Sequence, residues 1–240
     1  VIDVIDSASG CNVGGDGNVN NDDYDDVIIG APGINKAFIC LGNSGFSGTI
    51  STADITLSGI SGSFGNCVAD NGDINDDGFD DILISEVGNN KSYIFLGGPL
   101  LPSTLTTSDA DIVFDGDPFC IDFGTFVSFL GDINSDGFDD IGITDSRGAF
   151  DAGVAYIFKG QSTLPDTLKV TDADITITGS GTIRFGNCIS YAYDVNDDGF
   201  DDVVISEYYN SRGYLLFGGS SLASTYLWTE LPVVIHGEVF

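Results

Sequence analysis

Four short segments of this 240-residue chain repeat one arrangement of aspartate, asparagine and glycine. The second segment reads Asp73-Ile-Asn75-Asp-Asp77-Gly-Phe79-Asp-Asp81, so side-chain oxygens recur at positions 1, 3, 5 and 9 of a loop. Calcium takes about six to eight hard oxygen ligands, and a tight loop supplies them from alternating inward side chains. The carbonyl of Phe79 at position 7 adds a further donor, and glycine at position 6 permits the sharp turn. The segment therefore predicts a calcium-binding loop.

The other three copies predict the same chemistry, for up to four Ca²⁺ ions. Their candidate ligands are Asp132, Asn134, Asp136, Phe138 and Asp140; Asp194, Asn196, Asp198, Phe200 and Asp202; and, in the first copy, Asn18, Asn20, Asp22, Tyr24 and Asp26. The first copy is expected to bind most weakly because Asn18 replaces an aspartate and Asp23 replaces the glycine. One such cluster alone is an ordinary turn sequence, but near-identical repetition favours sites.

A helical calcium loop is excluded by the residue at position 12. An EF-hand needs a bidentate acid there, followed by a helix. All four copies have an isoleucine inside an apolar run instead, namely Ile29, Ile84, Ile143 and Ile205. The pattern favours a nine-residue loop between two strands.

The flanks of the loops repeat as well, with steps of 55, 59 and 62 residues between positions 18, 73, 132 and 194. Each unit has a Phe-Gly or Ser-Gly pair, the loop, an apolar run, an aromatic strand and an alternating strand. This predicts an all-β fold of β-propeller blades with four antiparallel strands each, in preference to a sandwich or a β-solenoid. We expect one domain over 1–240, with blades at about 7–58, 59–115, 116–178 and 179–236. The residues expected to be buried are Phe64, Phe123, Phe185, Ile84, Ile143 and Ile205.

Composition limits the classes of partner. Seven basic residues face 37 acidic ones, giving a formal net charge of −30. Such a chain repels nucleic acid and anionic membranes, and no apolar run is long enough for membrane insertion. The five cysteines do not have the spacing of a metal site. Cys67 and Cys188 are expected to be free thiols, and Cys40 is expected to lie in the core. Cys11 and Cys120 are the candidates for a disulfide. Asn90 begins the sequence Asn-Lys-Ser and is predicted as a glycosylation site of a secreted or cell-surface protein.

No catalytic motif is present, so the sequence predicts that the protein is not an enzyme. It contains no Ser-His-Asp order, phosphate loop or dinucleotide fingerprint. Every dense carboxylate pair falls within a predicted calcium loop.

The repeat resembles the FG-GAP repeat of integrin α-subunit propellers. The resemblance rests on the Phe-Gly pairs, the Asp-x-Asn-x-Asp-Gly-x-x-Asp loops and the sequence Val-Ile-Ile-Gly-Ala-Pro at 27–32. It implies a propeller with each calcium loop between the first and second strands of a blade, and a role in extracellular adhesion or scaffolding. The alternative is a propeller that acts as a monomer and binds a glycan or an extracellular protein, like a lectin or an adhesin.

The segment Val1-Ile-Asp-Val-Ile5 suggests one strand more than four blades require. It precedes the first inner strand, where the outer strand of a preceding blade would lie. Two interpretations stay open: residues 1–6 close a ring within the chain, or they add to another copy and produce head-to-tail assembly into a filament. The second interpretation is favoured.

Overall fold

The structure, a computed structural model, describes residues 12–45 and 52–237. It is all-β, as predicted, with 19 strands in this part of the chain. In chain order these are β1 (Val13–Gly14), β2 (Val27–Ala31), β3 (Lys36–Cys40), β4 (Ile55–Ser58), β5 (Phe64–Ala69), β6 (Ile82–Glu86), β7 (Lys91–Phe95), β8 (Thr104–Thr106), β9 (Ile112–Asp115), β10 (Phe123–Phe129), β11 (Ile141–Asp145), β12 (Val154–Phe158), β13 (Thr167–Lys169), β14 (Ile175–Thr178), β15 (Phe185–Tyr193), β16 (Asp202–Glu207), β17 (Arg212–Leu216), β18 (Thr225–Leu227) and β19 (Val233–His236). Short helical turns lie at Pro32–Ile34, Val87–Asn89, Gly148–Asp151, Val170–Asp172 and Trp228–Glu230.

The strands form four sheets that resemble propeller blades. Blade 1 has the order β1-β2-β3-β4-β8, blade 2 β5-β6-β7-β9-β13, blade 3 β10-β11-β12-β14-β18 and blade 4 β15-β16-β17-β19. The first four strands of each blade come from one repeat and are antiparallel throughout. Four antiparallel strands per repeat are therefore confirmed, in sheets that are consistent with propeller blades.

A fifth strand crosses from each later repeat to the preceding blade, which the sequence did not indicate. β8 of repeat 2 runs parallel to β4 of blade 1, β13 of repeat 3 to β9 of blade 2, and β18 of repeat 4 to β14 of blade 3. Each exchanged strand has three residues. The exchanged strand covers the outer edge of its neighbour, where unpaired backbone groups would otherwise be exposed.

The apolar core lies between consecutive blades. Phe64, Phe123 and Phe185 are fully buried, and each packs at 5.6–5.9 Å, between ring centroids, against a tyrosine on the third strand of its own blade. Ile84, Ile143 and Ile205 are also fully buried. The predicted core residues are confirmed, and the register of the repeats is correct.

The glycine of each Phe-Gly pair is required by close contact between blades. Gly65 has φ +85°, and a Cβ there would lie 2.3 Å from the carbonyl oxygen of Lys36 in blade 1. Conversely, a Cβ on Gly30 would lie 2.1 Å from the carbonyl oxygen of Gly65. Only glycine fits such an approach with a positive φ.

The cysteines of the described residues are thiols. Cys40, Cys67, Cys120 and Cys188 are all unpaired, which confirms the expectation for Cys67 and Cys188, and the core position of Cys40 is confirmed by its full burial. Burial raises the pKa of the Cys67 thiol to about 12, so it is unreactive. Cys11 and residues 1–6 lie outside the described residues. Among residues 12–45 and 52–237, no helix is long and apolar enough to cross a membrane.

Candidate calcium loops

All four predicted loops connect the first and second strands of a blade. They span residues 18–26, 73–81, 132–140 and 194–202, between β1 and β2, β5 and β6, β10 and β11, and β15 and β16. In each loop position 1 is half-buried, position 5 is exposed and position 9 is buried. The predicted ligands of each repeat thus lie in one loop, at equivalent places in the four blades.

The loop backbone is the same in repeats 2 to 4 and differs in repeat 1. Position 4 is left-handed in every copy, with φ between 49° and 59° at Asn21, Asp76, Ser135 and Asp197. Position 6 has φ between 89° and 95° at Gly78, Gly137 and Gly199, whereas Asp23 does not adopt a positive φ. Asp23 therefore has a different backbone conformation from the glycines that it replaces. The aspartate avoids the strained region, and the first loop turns differently there.

The side chains at positions 1, 3 and 5 turn into the loop. In the second copy, Oδ1 of Asp73 accepts the amide of Asp77 at 3.1 Å, and Oδ1 of Asp77 accepts the amide of Phe79 at 3.1 Å. The same two bonds occur in the other copies at 2.8–3.2 Å. In the third copy, Asn134 Nδ2 also reaches Asp140 Oδ2 at 3.3 Å, which joins positions 3 and 9. The predicted ligands at positions 1 and 5 of each copy therefore face the backbone of their own loop.

Position 9 has a structural role that the sequence did not reveal. Asp81 accepts the amide of Ile74 on one oxygen and the amide of Gly97 on the other, both at 2.9 Å. Asp26, Asp140 and Asp202 accept the corresponding pairs of amides. Each buried carboxylate thus fastens the loop to the end of the third strand, and its remaining lone pairs can still ligate a cation.

Burial raises the pKa of Asp81 to about 7. The two amide hydrogen bonds lower the pKa, and repulsion from Asp73 and Asp77 raises it further. The pKa of Asp140 is raised to about 7 for the same reason, with Asp136 and Asp132 as the repelling neighbours. The loops hold negative charge that is costly to keep without a cation.

Position 8 links consecutive loops, and sequence reasoning missed it. Carboxylate Oδ2 of Asp80, Asp139 and Asp201 accepts the position-1 amide of the preceding blade, from Asn18, Asp73 and Asp132, at 2.7–2.9 Å. The amides of the same aspartates donate back to the position-1 carbonyls at 3.2–3.4 Å. The signal was present in the sequence as the Asp-Asp pair that ends every loop.

The donor set suits a hard divalent cation. The two ion pairs of the described residues, Lys91–Asp115 and Arg147–Asp122, lie outside the loops, so no basic side chain neutralises the loop carboxylates. Carboxylate, amide and carbonyl oxygens are the donors that calcium prefers. Within residues 12–45 and 52–237, no group of three or more Asp, Glu, His or Cys side chains lies close enough together to hold an ion. Binding therefore requires the loop carboxylates to turn from the backbone amides toward the cation.

Asn90, the predicted glycosylation site, is half-buried between blades 2 and 3. Its Nδ2 donates to the carbonyl of Cys120 at 3.0 Å, and its Oδ1 accepts the amide of Phe123 at 3.1 Å. Glycosylation stays a prediction, and it would place a sugar on the nitrogen of this half-buried side chain.

No protein-family profile matches the chain. It is 32% identical to integrin α-IIb of Mus musculus over 62% of its length, 27% identical to integrin α-4 of Xenopus laevis over 60%, and 25% identical to integrin α-5 of Xenopus laevis over 80%. The chain spans 14–19% of the length of these curated relatives. Together with the repeated Phe-Gly pairs and aspartate loops, these similarities show that the chain carries an integrin α-like FG-GAP repeat region.

Proposed function

We propose that this chain is a calcium-binding, non-enzymatic structural or adhesive module that acts in secreted form or at the cell surface. One observation carries the proposal: four equivalent loops repeat the same set of oxygen-bearing side chains, turned toward the loop backbone, and have no basic partner among the described residues. Residues at positions 1, 3, 5 and 9, with the position-7 carbonyl, would hold one Ca²⁺ per loop. The similarity to integrin α subunits supports the adhesive part, and the four sheets support a β-propeller.

Calcium would neutralise the loop carboxylates and stabilise the folded state by binding it in preference to the unfolded chain. Thermal unfolding with calcium and with excess chelator tests this. We expect a higher Tm with calcium, and elemental analysis should find three to four Ca²⁺ per chain, since the first loop is the weakest. Equal melting curves with no bound calcium would contradict the proposal.

A matched pair of variants separates ligation from net charge. Asp77→Asn changes position 5, a proposed ligand, whereas Asp76→Asn changes its left-handed neighbour, which asparagine accommodates well. Both substitutions remove one negative charge from the same loop. We expect the first to lose about one calcium per chain and the second to keep the full number.

A glycan- or protein-binding module is the second candidate, and one cavity favours it. A cavity of about 300 Å³ lies beside blade 4 and is lined by Asp151, Thr182, Ile183, Arg184, Tyr209 and Asn210. The Arg184 guanidinium lies 5.5 Å from the Tyr209 ring centroid, and its buried Nε has no hydrogen-bond partner within 12–45 and 52–237. An aromatic ring beside free donors suits a sugar or an acidic peptide. A glycan array with wild type and Tyr209→Ala would detect this, and binding by a monomer that the substitution abolishes would favour it.

We retain head-to-tail self-association as part of the proposed function. Residues 1–6, which the sequence suggested as the added strand, lie outside the described residues, so that contact stays a prediction. Strand addition would require an uncovered sheet edge, and in the part of the chain that the structure describes β19 of blade 4 has no strand beyond it.

A further inference from the structure

The four blades present two unlike ends. The leading face of a blade is the face on the side of the preceding blade, and the trailing face is the face on the side of the following blade. The leading face of blade 1 consists of Val13, Val27, Ile29 and Phe38, and the trailing face of blade 4 of Val204, Leu215, Val233 and Ile235. We propose that the trailing face of blade 4 binds the leading face of blade 1 of a second copy, repeating the contact between blades within one chain. This inference rests on the self-association in the proposed function and is independent of its calcium-binding part.

The trailing face of blade 4 is apolar, and no other blade among the described residues covers it. Ile235 pairs with Gly213 and occupies the register position of Leu57, Phe114 and Ile177 in the other blades. Those three residues are fully buried by the following blade, whereas Ile235 is 49% exposed. Ile235 is thus suited to the contact with a following blade that Leu57, Phe114 and Ile177 make in blades 1 to 3.

The leading face of blade 1 is the matching surface. Val13 pairs with Ile29, as Val68 pairs with Ile84, Val127 with Ile143 and Ile189 with Ile205. The three later residues are 0–4% exposed, but Val13 is 61% exposed. Ile29 beside it is only half-buried, whereas Ile84, Ile143 and Ile205 are fully buried. Because both faces are exposed, blade 1 does not cover blade 4 within the described residues.

The loops have matching polar groups at the same two ends. In blades 1 to 3 the position-1 amide donates to a position-8 aspartate of the next blade. The position-2 carbonyl accepts a second amide of that next blade, which follows its third strand, at 2.8–3.1 Å. In blade 4 these groups are the amide of Asp194 and the carbonyl of Val195, and neither has such a partner in the described part of the chain. Asp25 and the amide of Asn43 stand at the corresponding places of blade 1. A second copy would supply both missing bonds.

The outer strand of blade 4 also lacks the cover that the other blades have. β4, β9 and β14 each pair with an exchanged strand, but β19 has no such neighbour in the residues described. An exposed Val-Val-Ile edge favours pairing with another chain. In the other blades the exchanged strand comes from the repeat whose leading face packs on that blade. The partner best supported for blade 4 is therefore a leading face, and among the described blades only that of blade 1 is uncovered.

Two charge-insertion variants test the direction of the contact. Val13→Lys blocks the leading face and Ile235→Lys the trailing face, and both sites are exposed enough for the fold to tolerate the change. Val234→Lys is the matched control, because Val234 is 40% exposed on the same strand but faces the opposite side. Sedimentation is measured over a concentration series at an ionic strength above about 0.15 M, which screens the repulsion between copies with net charge −30.

We expect wild type and Val234→Lys to form species larger than dimers as concentration rises, and each blocking variant to remain monomeric. An equimolar mixture of Val13→Lys and Ile235→Lys should form a dimer and nothing larger, since one free end remains on each copy. A monomeric wild type throughout, or a mixture that stays monomeric, would overturn the proposal. Circular dichroism verifies folding, and calcium binding by the monomeric variants shows whether the calcium part of the proposed function stands separately.

Discussion

The amide of Asp73 in blade 2 donates to the carboxylate of Asp139 in blade 3 over 2.9 Å, across 66 positions of sequence. Asp73 is position 1 of one loop, and Asp139 is position 8 of the next. A residue proposed to ligate calcium is thus held in place by the neighbouring blade. Calcium binding and blade packing are therefore expected to be coupled.

We predict that Asp139→Ala weakens both properties at once. The substitution leaves the half-buried amide of Asp73 without an acceptor, which costs about 1–3 kcal/mol in the free energy of unfolding. It should also lower calcium affinity in the second loop. Denaturant unfolding and calcium titration measure the two effects. Asp25→Ala is the control, with both variants kept at a concentration where the chain is monomeric, because this exposed position-8 residue then accepts no loop amide from another described blade. Equal effects at both positions would refute the coupling.

The first loop can be improved by restoring the consensus. Asn18→Asp adds a third carboxylate, and Asp23→Gly supplies the residue whose φ is positive in the other loops. Because charge and loop geometry tune affinity, we expect the double variant to bind calcium about tenfold more tightly at this site. Titration calorimetry of wild type and variant compares the weakest site. No change in that site would show that these two residues do not limit its affinity.

The strands and the loops could be predicted because each is encoded within one repeat. The 1-3-5-9 oxygen pattern and the Phe-Gly pairs are local, and the burial of Phe123 follows from their register. The exchanged strand Thr104–Thr106 could not be predicted, because three residues carry little pattern and its partner lies in another repeat. Position 8 was missed for a related reason. Asp139 stands beside Asp140, and only the arrangement of two blades separates its role from that of its neighbour.

The core between blades gives a direct test of the register. Phe123→Ala removes a fully buried ring and should cost about 3–5 kcal/mol in the free energy of unfolding. Phe119→Ala removes the same ring at a site that is 85% exposed and should be nearly neutral. Urea unfolding of the two variants provides the comparison. Similar losses of stability would mean that the ring of Phe123 is not in the core.

Asp70 predicts how stability depends on pH. It is 1% exposed at the interface of blades 1 and 2, and neither carboxylate oxygen accepts a hydrogen bond from another of the described residues. Burial raises the pKa of Asp70 to about 7, and Asp26, Asp80 and Asp16 add repulsion. A Cβ on Gly14 would lie 2.5 Å from Oδ1, which shows how closely blade 1 covers the carboxylate.

The folded state binds this proton more tightly than the unfolded chain, whose ordinary value is 3.8. The stability that Asp70 contributes is therefore fully present below pH 3.8 and is lost as pH rises toward about 7. Asp70→Asn keeps the side chain neutral at every pH. It should match wild type in acid and exceed it above pH 7, by at most about 4 kcal/mol.

Urea unfolding from acid to pH 8, in excess chelator, follows the difference in unfolding free energy between the two proteins. That difference isolates Asp70 from Asp81 and Asp140, whose pKa values are also raised. Asp76→Asn serves as the control, since it removes one negative charge at an exposed site. A difference between wild type and Asp70→Asn that stays constant across this range would mean that the carboxylate of Asp70 is not held in its protonated form by burial.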